Sequence, residues 1–110
     1  MRNKVNLIGR VGQNPEIKVM ENGTKLAKFS LATNEYYTNK EGDRIEQTEW
    51  HQLVAWGKTA ELIEKLVQKG TEMAVEGKLT HRQYETQDHE KRYVTEVKIQ
   101  EFLLLGKRSN

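Results

Sequence analysis

The chain has 110 residues and no cysteine, and it carries 18 basic against 16 acidic residues. This length gives one domain, since two smaller pieces could not each bury enough apolar surface, and the lack of cysteine excludes disulfides and thiolate metal sites. The net charge of +2 excludes the heavy positive excess of a histone-like protein, so any nucleic-acid site must depend on local charge.

The sequence contains no run of 18 apolar residues, and its N-terminus lacks the apolar region and cleavage site of a signal peptide. The absence of cysteine also fits a reducing compartment. We therefore expect a cytoplasmic protein, associated with the nucleoid if it binds DNA, and no membrane partner.

The first elements in the chain have the pattern of strands. Lys4–Gly12 is rich in Val, Leu and Ile and is interrupted by Gly9, which predicts a strand with a bulge or a sharp bend. A short extended piece, Glu16–Met20, follows. It ends at Asn22-Gly23, a dipeptide that favours a type I′ hairpin turn.

The next segment, KLAKFSLAT (residues 25–33), alternates and predicts a half-buried strand. Its apolar face carries Ala27, Phe29 and Leu31. Residues 34–47 are mostly polar or charged around a glycine, so we expect a protruding hairpin loop at this point.

One segment has the period of an amphipathic helix. Its apolar stripe consists of Leu62, Ile63, Leu66 and Val67. Thr59 is the predicted N-cap, Glu61 lies in the first turn, Lys69 in the last turn, and Gly70 is the predicted C-cap.

Two further strands follow, Met73–Tyr84 and Arg92–Leu105, separated by a polar turn. The order is thus three strands, one helix and two strands. Five antiparallel strands with one helix between the third and the fourth are the arrangement of the OB-fold, an all-β Greek-key barrel that binds oligonucleotides or oligosaccharides. We expect this domain to cover residues 1–106, and residues 107–110 to form a short basic end.

Two tryptophans, Trp50 and Trp56, lie in the segment EQTEWHQLVAWGK, which we interpret as a strand. Side chains alternate along a strand, so the two rings share a face with Thr48 and Gln52. Six residues at ~3.3 Å each separate the rings by ~20 Å, about the reach of a few extended nucleotides. They could be core anchors, as tryptophans in small barrels often are. The polar residues between them favour an outward platform.

Other aromatic residues fit such a platform. In KLTHRQY, alternation places Lys78, Arg82 and Tyr84 on one face. Stacking on such rings contributes roughly 1 to 3 kcal/mol per base, and neighbouring cations follow the phosphates. Tyr36 and Tyr37 stand at the root of the hairpin loop. We expect one of them to point outward, although tyrosines can also cap the rim of a barrel.

Taken together, these segments resemble the bacterial single-stranded DNA-binding protein family, from about Asn3 to Arg108. The stretches that carry the resemblance, in order and at the family's spacing, are NKVNLIGRVGQNPEIKVM, KFSLATNEYY, EQTEWHQLVAWGKTAELIEKLVQKG, VEGKLTHRQY and RYVTEV. The resemblance implies an OB-fold that oligomerises, usually as a tetramer, and that wraps single-stranded DNA during replication, recombination and repair.

The resemblance also implies which residues bind DNA. The family's base-stacking positions fall on Tyr37, Trp50, Trp56 and Tyr84. Lys58, Lys69 and Arg82 match basic positions of the family, and the face argument adds Lys78 as a fourth phosphate contact. Gln52 stands where the family commonly has an arginine, so one phosphate contact is expected to be missing.

Members of the family usually continue into a flexible segment with an acidic tip that recruits other enzymes, whereas this sequence ends in LLLGKRSN. We therefore expect a short form with no partners docked through an acidic tail. Such a form is either a short paralogue, as in a mobile element or a phage, or a protein in which recruitment works differently.

An enzyme is poorly supported by the sequence. The histidines His51, His81 and His89 have no carboxylate or cysteine at metal-ligand spacing, and there is no phosphate loop or nucleophile motif. We expect no catalytic activity, no metal and no cofactor, and interpret His51 as a structural or interface hydrogen bonder.

Other binding functions stay open. One alternative is an OB-fold adaptor between proteins in a primosome-like assembly, and another is an RNA binder. An oligosaccharide binder would use the rings but would have no need of the cations. For assembly we expect a homo-oligomer, a tetramer, in which Val5–Val11 pairs with its copy in a neighbouring subunit.

Overall fold

The computed structural model describes residues 2–105, which form six strands and one helix. In chain order these are β1 (Val5–Val11), β2 (Glu16–Val19), β3 (Lys25–Thr38), β4 (Arg44–Trp56), α1 (Gly57–Leu66), β5 (Glu72–Glu85) and β6 (Lys91–Leu105). The basic end predicted for residues 107–110 lies outside the described residues.

Five of the strands close into a barrel. The sheet order is β1-β5-β6-β4-β3-β2, and β1 completes the ring by pairing with β3 through Arg10 and Val11. The strand β2 lies outside the ring, and β3 is its only partner among the six described strands. The predicted five-stranded barrel with one helix is confirmed.

Two details of the strand arrangement differ from the prediction. Counted with β2, the helix lies between the fourth and fifth strands, because the short extended piece forms a ladder with Lys25–Lys28. The pairing of β4 with β6 is parallel rather than antiparallel. The strands β5 and β6 form the hairpin that follows α1, and β6 runs beside β4 in the same direction.

Of the bulge or sharp bend predicted at Gly9, the bulge is wrong. The register of β1 against β5 is continuous from Val5 to Arg10, and the irregularity lies between Glu76 and Gly77. A Cβ atom at Gly9 would overlap the carbonyl oxygen of Ala32. The glycine therefore lets β1 approach β3 closely where the barrel closes.

The helix α1 begins and ends earlier than predicted. Its N-cap is Trp56 rather than Thr59, because β4 passes into the helix without a loop, and no acidic residue lies in its first turn. At the other end Val67 is already extended, and its N–H donates to the Ile63 carbonyl oxygen at 2.9 Å. Val67 is buried in this extended conformation, so the helix ends before Gly70, the predicted C-cap.

The core lies inside the barrel and is closed by the helix. Its buried residues are Val11, Ala27, Phe29, Leu31, Leu53, Ala55, Ala60, Ile63, Val67, Met73, Val75, Val97 and Ile99. Ala60 and Ile63 are the buried residues of α1, and Val67 directly after it is buried as well. Leu62 and Leu66, the other two residues of the predicted apolar stripe, are about half exposed, so only Ile63 and Val67 of that stripe pack on the strands. The predicted apolar face of β3 is confirmed.

Two hairpins extend beyond this core. We call residues 34–48 the first arm and residues 80–95 the second arm. The first arm takes the place of the predicted loop, because β3 and β4 remain paired as far as Thr38 and Arg44. Most side chains in both arms are exposed.

The three hairpin turns have the same form, a three-residue loop whose last residue has a positive φ. These residues are Gly23 with 89°, Gly42 with 86° and His89 with 64°. The type I′ turn predicted at Asn22-Gly23 is wrong, because within residues 2–105 the only non-glycine residue with positive φ is His89. The extra loop residue allows a type I turn followed by one left-handed residue.

Candidate nucleic-acid interface

Strand pairing sorts the side chains of the barrel onto two faces. One face points into the core, and we call the opposite one the outer face. Its residues on β4 to β6 are Thr48, Trp50, Gln52, Val54 and Trp56, then Lys78, Thr80, Arg82 and Tyr84, then Arg92, Val94, Glu96 and Lys98. Lys98 pairs with both Val54 and Lys78, so three strands contribute to one continuous surface.

Both tryptophans are open to solvent. Trp50 is 58% exposed and Trp56 is 42% exposed, so the interpretation of these residues as core anchors is wrong. Val54 lies on the same face but is buried between Lys28 and Lys98, its partners on the two adjacent strands. Two separate rings therefore stand on the outer face, as the alternation of β4 predicts.

The backbone of the loop after β1 supports the ring of Trp50. A Cβ atom at Gly12 would lie 2.5 Å from Cζ3 of Trp50. The two residues line a shallow recess together with Gln13, Ser30 and Gln52. Gln52, at the position where the family resemblance suggests an arginine, thus lies beside the ring.

On the second arm, Arg82 and Tyr84 lie on the outer face, and Arg82 is bonded to a nearly buried carboxylate. The Arg82 guanidinium donates from Nε to Oε1 of Glu96 at 3.2 Å and from Nη2 to Oε2 at 3.0 Å. Glu96 is 7% exposed, and its hydrogen bond raises the pKa of Arg82 above its ordinary value. The guanidinium carbon lies 6.0 Å from the centre of the exposed Tyr84 ring. Arg82 is therefore already held by the protein.

The other predicted cations differ in position. Lys78 is exposed on the outer face opposite Lys98. Lys58 lies in α1 and Lys69 in the loop after it, both exposed but outside the ladder that defines the face. The backbone N–H of Lys69 donates to Oδ1 of Asn14 at 2.7 Å, which fixes this loop against the loop after β1.

The two adjacent tyrosines lie on opposite faces of the first arm. Tyr37 pairs with Ile45, whereas Tyr36 pairs with Glu46, which shares the outer face with Trp50. Both rings are about half exposed. The ladder therefore brings three of the four predicted stacking rings, Trp50, Trp56 and Tyr84, onto one face and leaves Tyr37 on the other.

Sequence reasoning missed several charged residues of the outer face. The cations are Arg10, Lys18, Lys28, Arg44, Arg92 and Lys98. They could be found only once the strand pairing is known. Glu96 was missed as well, because residues 94–97 read VTEV, a half-polar segment that gives no sign that its carboxylate is buried.

The histidines and carboxylates do not converge on a metal site. Among residues 2–105, no group of three His, Cys, Asp or Glu side chains could hold a metal ion. His51 is half-buried, and its Nε2 lies 2.9 Å from Oγ1 of Thr33 on the neighbouring strand. That bond fits the structural interpretation of His51. Over the same residues, α1 is too short to span a membrane.

Comparison with known proteins agrees with this geometry. The model of the single-strand binding protein family matches residues 2–105. The chain belongs to this family. It is 38% identical over 109 residues to Single-stranded DNA-binding protein 1 of Xylella fastidiosa (strain 9a5c), and the match covers 98% of this chain and 80% of that protein.

Two solved structures share the fold. The Plasmodium falciparum SSB in complex with ssDNA superposes with a TM-score of 0.87 at 34% identity, over 94% of this chain and 95% of that one. A deletion mutant of the single-stranded DNA-binding protein from Thermus aquaticus gives a TM-score of 0.83 at 28% identity. This match covers 96% of the present chain but 51% of the Thermus chain.

Proposed function

We propose that this chain binds single-stranded DNA with little sequence preference and so protects and organises it in replication, recombination and repair. The observation that carries this function is the outer face, on which Trp50, Trp56 and Tyr84 are exposed among lysines and arginines. Membership of the single-strand binding protein family supports it, as does the Plasmodium relative solved with ssDNA.

Binding proceeds in two physical steps. Lysine and arginine side chains first attract the phosphates and release their counterions, which makes the affinity fall as salt is added. Bases then stack on the rings, at roughly 1 to 3 kcal/mol per base and with little preference, because every base has a flat face. Duplex DNA binds far more weakly, since its bases are already stacked on one another.

In this proposal the stacking residues are Tyr37, Trp50, Trp56 and Tyr84, and the phosphate contacts are Lys58, Lys69, Lys78 and Arg82. Arg82 binds phosphate through the N–H groups that Glu96 does not occupy. Tyr37 meets the DNA where the strand passes around the first arm, because its ring lies on the other side of the ladder from Trp50.

The partners are single-stranded DNA and further copies of the chain, with a tetramer as the proposed assembly. Within residues 2–105, residues 5–9 of β1 pair with β5 on one side only, which leaves the other edge of the strand available to pair with its copy. Ile8 on this strand is exposed. Sedimentation at micromolar concentration should therefore give a species larger than a monomer, and a monomer alone would rule the assembly out.

The single-strand binding family is one of DNA-binding proteins rather than enzymes. We extend this to the chain itself, as a non-catalytic binding domain of residues 1–106 that acts in the cytoplasm on nucleoid DNA without a cofactor. The zero cysteine count fits that compartment.

Tryptophan fluorescence tests the function directly. We expect oligo-dT to quench the emission strongly at low salt and less strongly at high salt, with little effect of duplex DNA. Trp50→Phe and Trp56→Phe variants then assign the quenching to each ring. No quenching by oligo-dT would contradict the proposal, and tighter binding of oligo-U than of oligo-dT would favour the RNA-binding alternative.

A further inference from the structure

The outer face continues onto the first arm, where it carries a tyrosine with no assigned role. Tyr36 pairs with Glu46, and it lies four positions along β3 from Ala32, the partner of Trp50. An even number of residues keeps two side chains on the same face of a strand. Tyr36, rather than Tyr37, therefore stands on the same side as Trp50 and Trp56.

The ring of Tyr36 is held in place by a cation. The guanidinium carbon of Arg44, the diagonal neighbour of Tyr36 on β4, lies 4.1 Å from the centre of the ring. Tyr36 is nevertheless 53% exposed. A flat guanidinium over a flat ring forms a platform on which a base can stack, and its charge attracts the adjoining phosphate.

The distance from the tryptophans suits a continuous path. Four residues at ~3.3 Å each place Tyr36 ~13 Å beyond Trp50 along the ladder, compared with ~20 Å between the two tryptophans. The interval holds a polar pair, in which Oγ1 of Thr48 donates to Oδ1 of Asn34 at 2.8 Å. No large side chain of the ladder separates Trp50 from Tyr36 in this part of the arm.

We propose that Tyr36, backed by Arg44, is a further base-stacking site for single-stranded DNA. The DNA path then runs from Trp56 past Trp50 and out along the first arm. This inference rests on the proposed function. It adds a stacking position that is distinct from Tyr37, whose ring faces the other side.

The test compares variants of the full chain by the anisotropy of fluorescein-labelled oligo-dT at one fixed salt concentration. Tyr36→Ala should weaken binding by about fivefold or more, whereas Tyr36→Phe, which keeps the ring, should stay within about twofold of the wild type. Tyr93→Ala is the matched control, because that tyrosine is 75% exposed but lies off the outer face. Arg44→Met should reduce the slope of log affinity against log salt by about one.

A crosslink supplies a second measurement that does not depend on a variant. Oligonucleotides with 5-bromodeoxyuridine should crosslink to Tyr36 on irradiation, and fragmentation of the tryptic peptide FSLATNEYYTNK (residues 29–40) separates it from Tyr37. Crosslinking to Tyr37 alone would overturn the inference. So would wild-type affinity of Tyr36→Ala, or an equal loss in Tyr93→Ala.

The outcomes also separate this inference from the proposed function. If the wild type binds oligo-dT and its tryptophans are quenched, while Tyr36→Ala binds equally well, only the inference fails. If the wild type itself fails to bind oligo-dT, both fail. Circular dichroism of each variant shows whether the fold is retained, as expected for an exposed side chain.

Discussion

The two arms carry the same pair of residue types on the outer face but use the arginine differently. Arg82 of the second arm is bound through two hydrogen bonds by Glu96, the residue just beyond the arm, and its guanidinium lies 6.0 Å from the Tyr84 ring. In the first arm, Arg44 lies 4.1 Å from the Tyr36 ring and pairs with no carboxylate within residues 2–105. Glu96 thus fixes Arg82 and occupies two of its nitrogens, whereas no ion pair within residues 2–105 competes with a ligand for the charge of Arg44.

The arms also differ at their tips. Gly42 closes the first arm and His89 closes the second, each in a left-handed conformation with a positive φ. Glycine adopts this conformation without steric conflict, whereas a residue with a Cβ atom is strained in it. The first arm therefore has a relaxed turn and a free cation, and the second arm has a strained turn and a bound cation.

The largest expected effect concerns DNA binding by the second arm. Replacing Tyr84 with Ala removes a stacking ring from the outer face and should weaken binding of oligo-dT by about 1 to 3 kcal/mol. Tyr93→Ala removes the same side chain from the opposite face of the same arm and should have little effect. Anisotropy titrations measure both. Equal losses in the two variants would show that the face does not determine stacking.

Loss of the ion pair between Arg82 and Glu96 should change stability and DNA binding in opposite directions. Glu96→Gln removes the charge that holds Arg82 and should lower the free energy of unfolding by about 1 to 2 kcal/mol. The loss is no larger because Arg82 is half exposed, so water screens its interaction with Glu96. The released guanidinium should then bind oligo-dT more tightly at low salt, with a steeper salt dependence. Urea denaturation and salt-dependent titrations measure the two effects.

Glu46→Gln is the matched control on the first arm. Glu46 is exposed and makes no ion pair within residues 2–105, so this substitution should leave stability nearly unchanged. A loss of stability equal to that of Glu96→Gln would show that the ion pair between Arg82 and Glu96 does not account for the effect of that substitution.

A smaller effect is expected at the tip of the first arm. Gly42→Ala should lower the free energy of unfolding by about 1 kcal/mol, since the φ of 86° disfavours a Cβ atom. No atom beyond the neighbouring residues of the described chain lies within 4 Å of that Cβ position, so the effect comes from the backbone alone. Gly42→Asn should be milder, because Asn tolerates this region better. If Gly42→Ala is fully neutral in urea denaturation, the turn conformation is misassigned.

The smallest effect is expected at the tip of the second arm, with the opposite sign. His89→Gly should raise the free energy of unfolding by about 0.5 kcal/mol, because relief of strain exceeds the entropy that glycine adds to the unfolded chain. A rise in the thermal midpoint measures it. A destabilised variant would instead show that the contact between His89 Nδ1 and Glu85, at 3.4 Å, outweighs the strain.

The sequence predicts those features of this molecule that depend on local periodicity. Alternation along β4 and β5 correctly groups Trp50 with Trp56 and Lys78 with Tyr84. The same pattern cannot tell whether the two groups share a face, because that depends on β6, which pairs with both strands. The pairing of Lys98 with Val54 and Lys78 decides it.

The misassigned ends of the helix have a related cause. Thr59 is a good N-cap residue by type, but the helix starts directly after β4, at Gly57. Gly70 is a good C-cap by type, but the burial of Val67 ends the helix first. In both cases tertiary packing overrides a local preference.

The positions of Tyr36 and Tyr37 show the same limit of prediction from sequence at the site. The sequence predicts that one of two adjacent rings points outward, but both are exposed, on opposite sides. Their assignment depends on the register of β3 with β4, which the turn at residues 39–43 sets.

Because of that register, the side of the first arm on which each side chain lies depends on the length of β3 rather than on its composition. Inserting one residue between Ala32 and Tyr36 would turn every following side chain of β3 to the other side, so that Tyr37 would join the tryptophans and Tyr36 would leave them. Two homologues could therefore keep the same pair of tyrosines and yet thread DNA along different sides of the arm. If DNA stacks on the tyrosine that shares a face with Trp50, a single-codon insertion would exchange Tyr36 for Tyr37 in that position without substituting either residue.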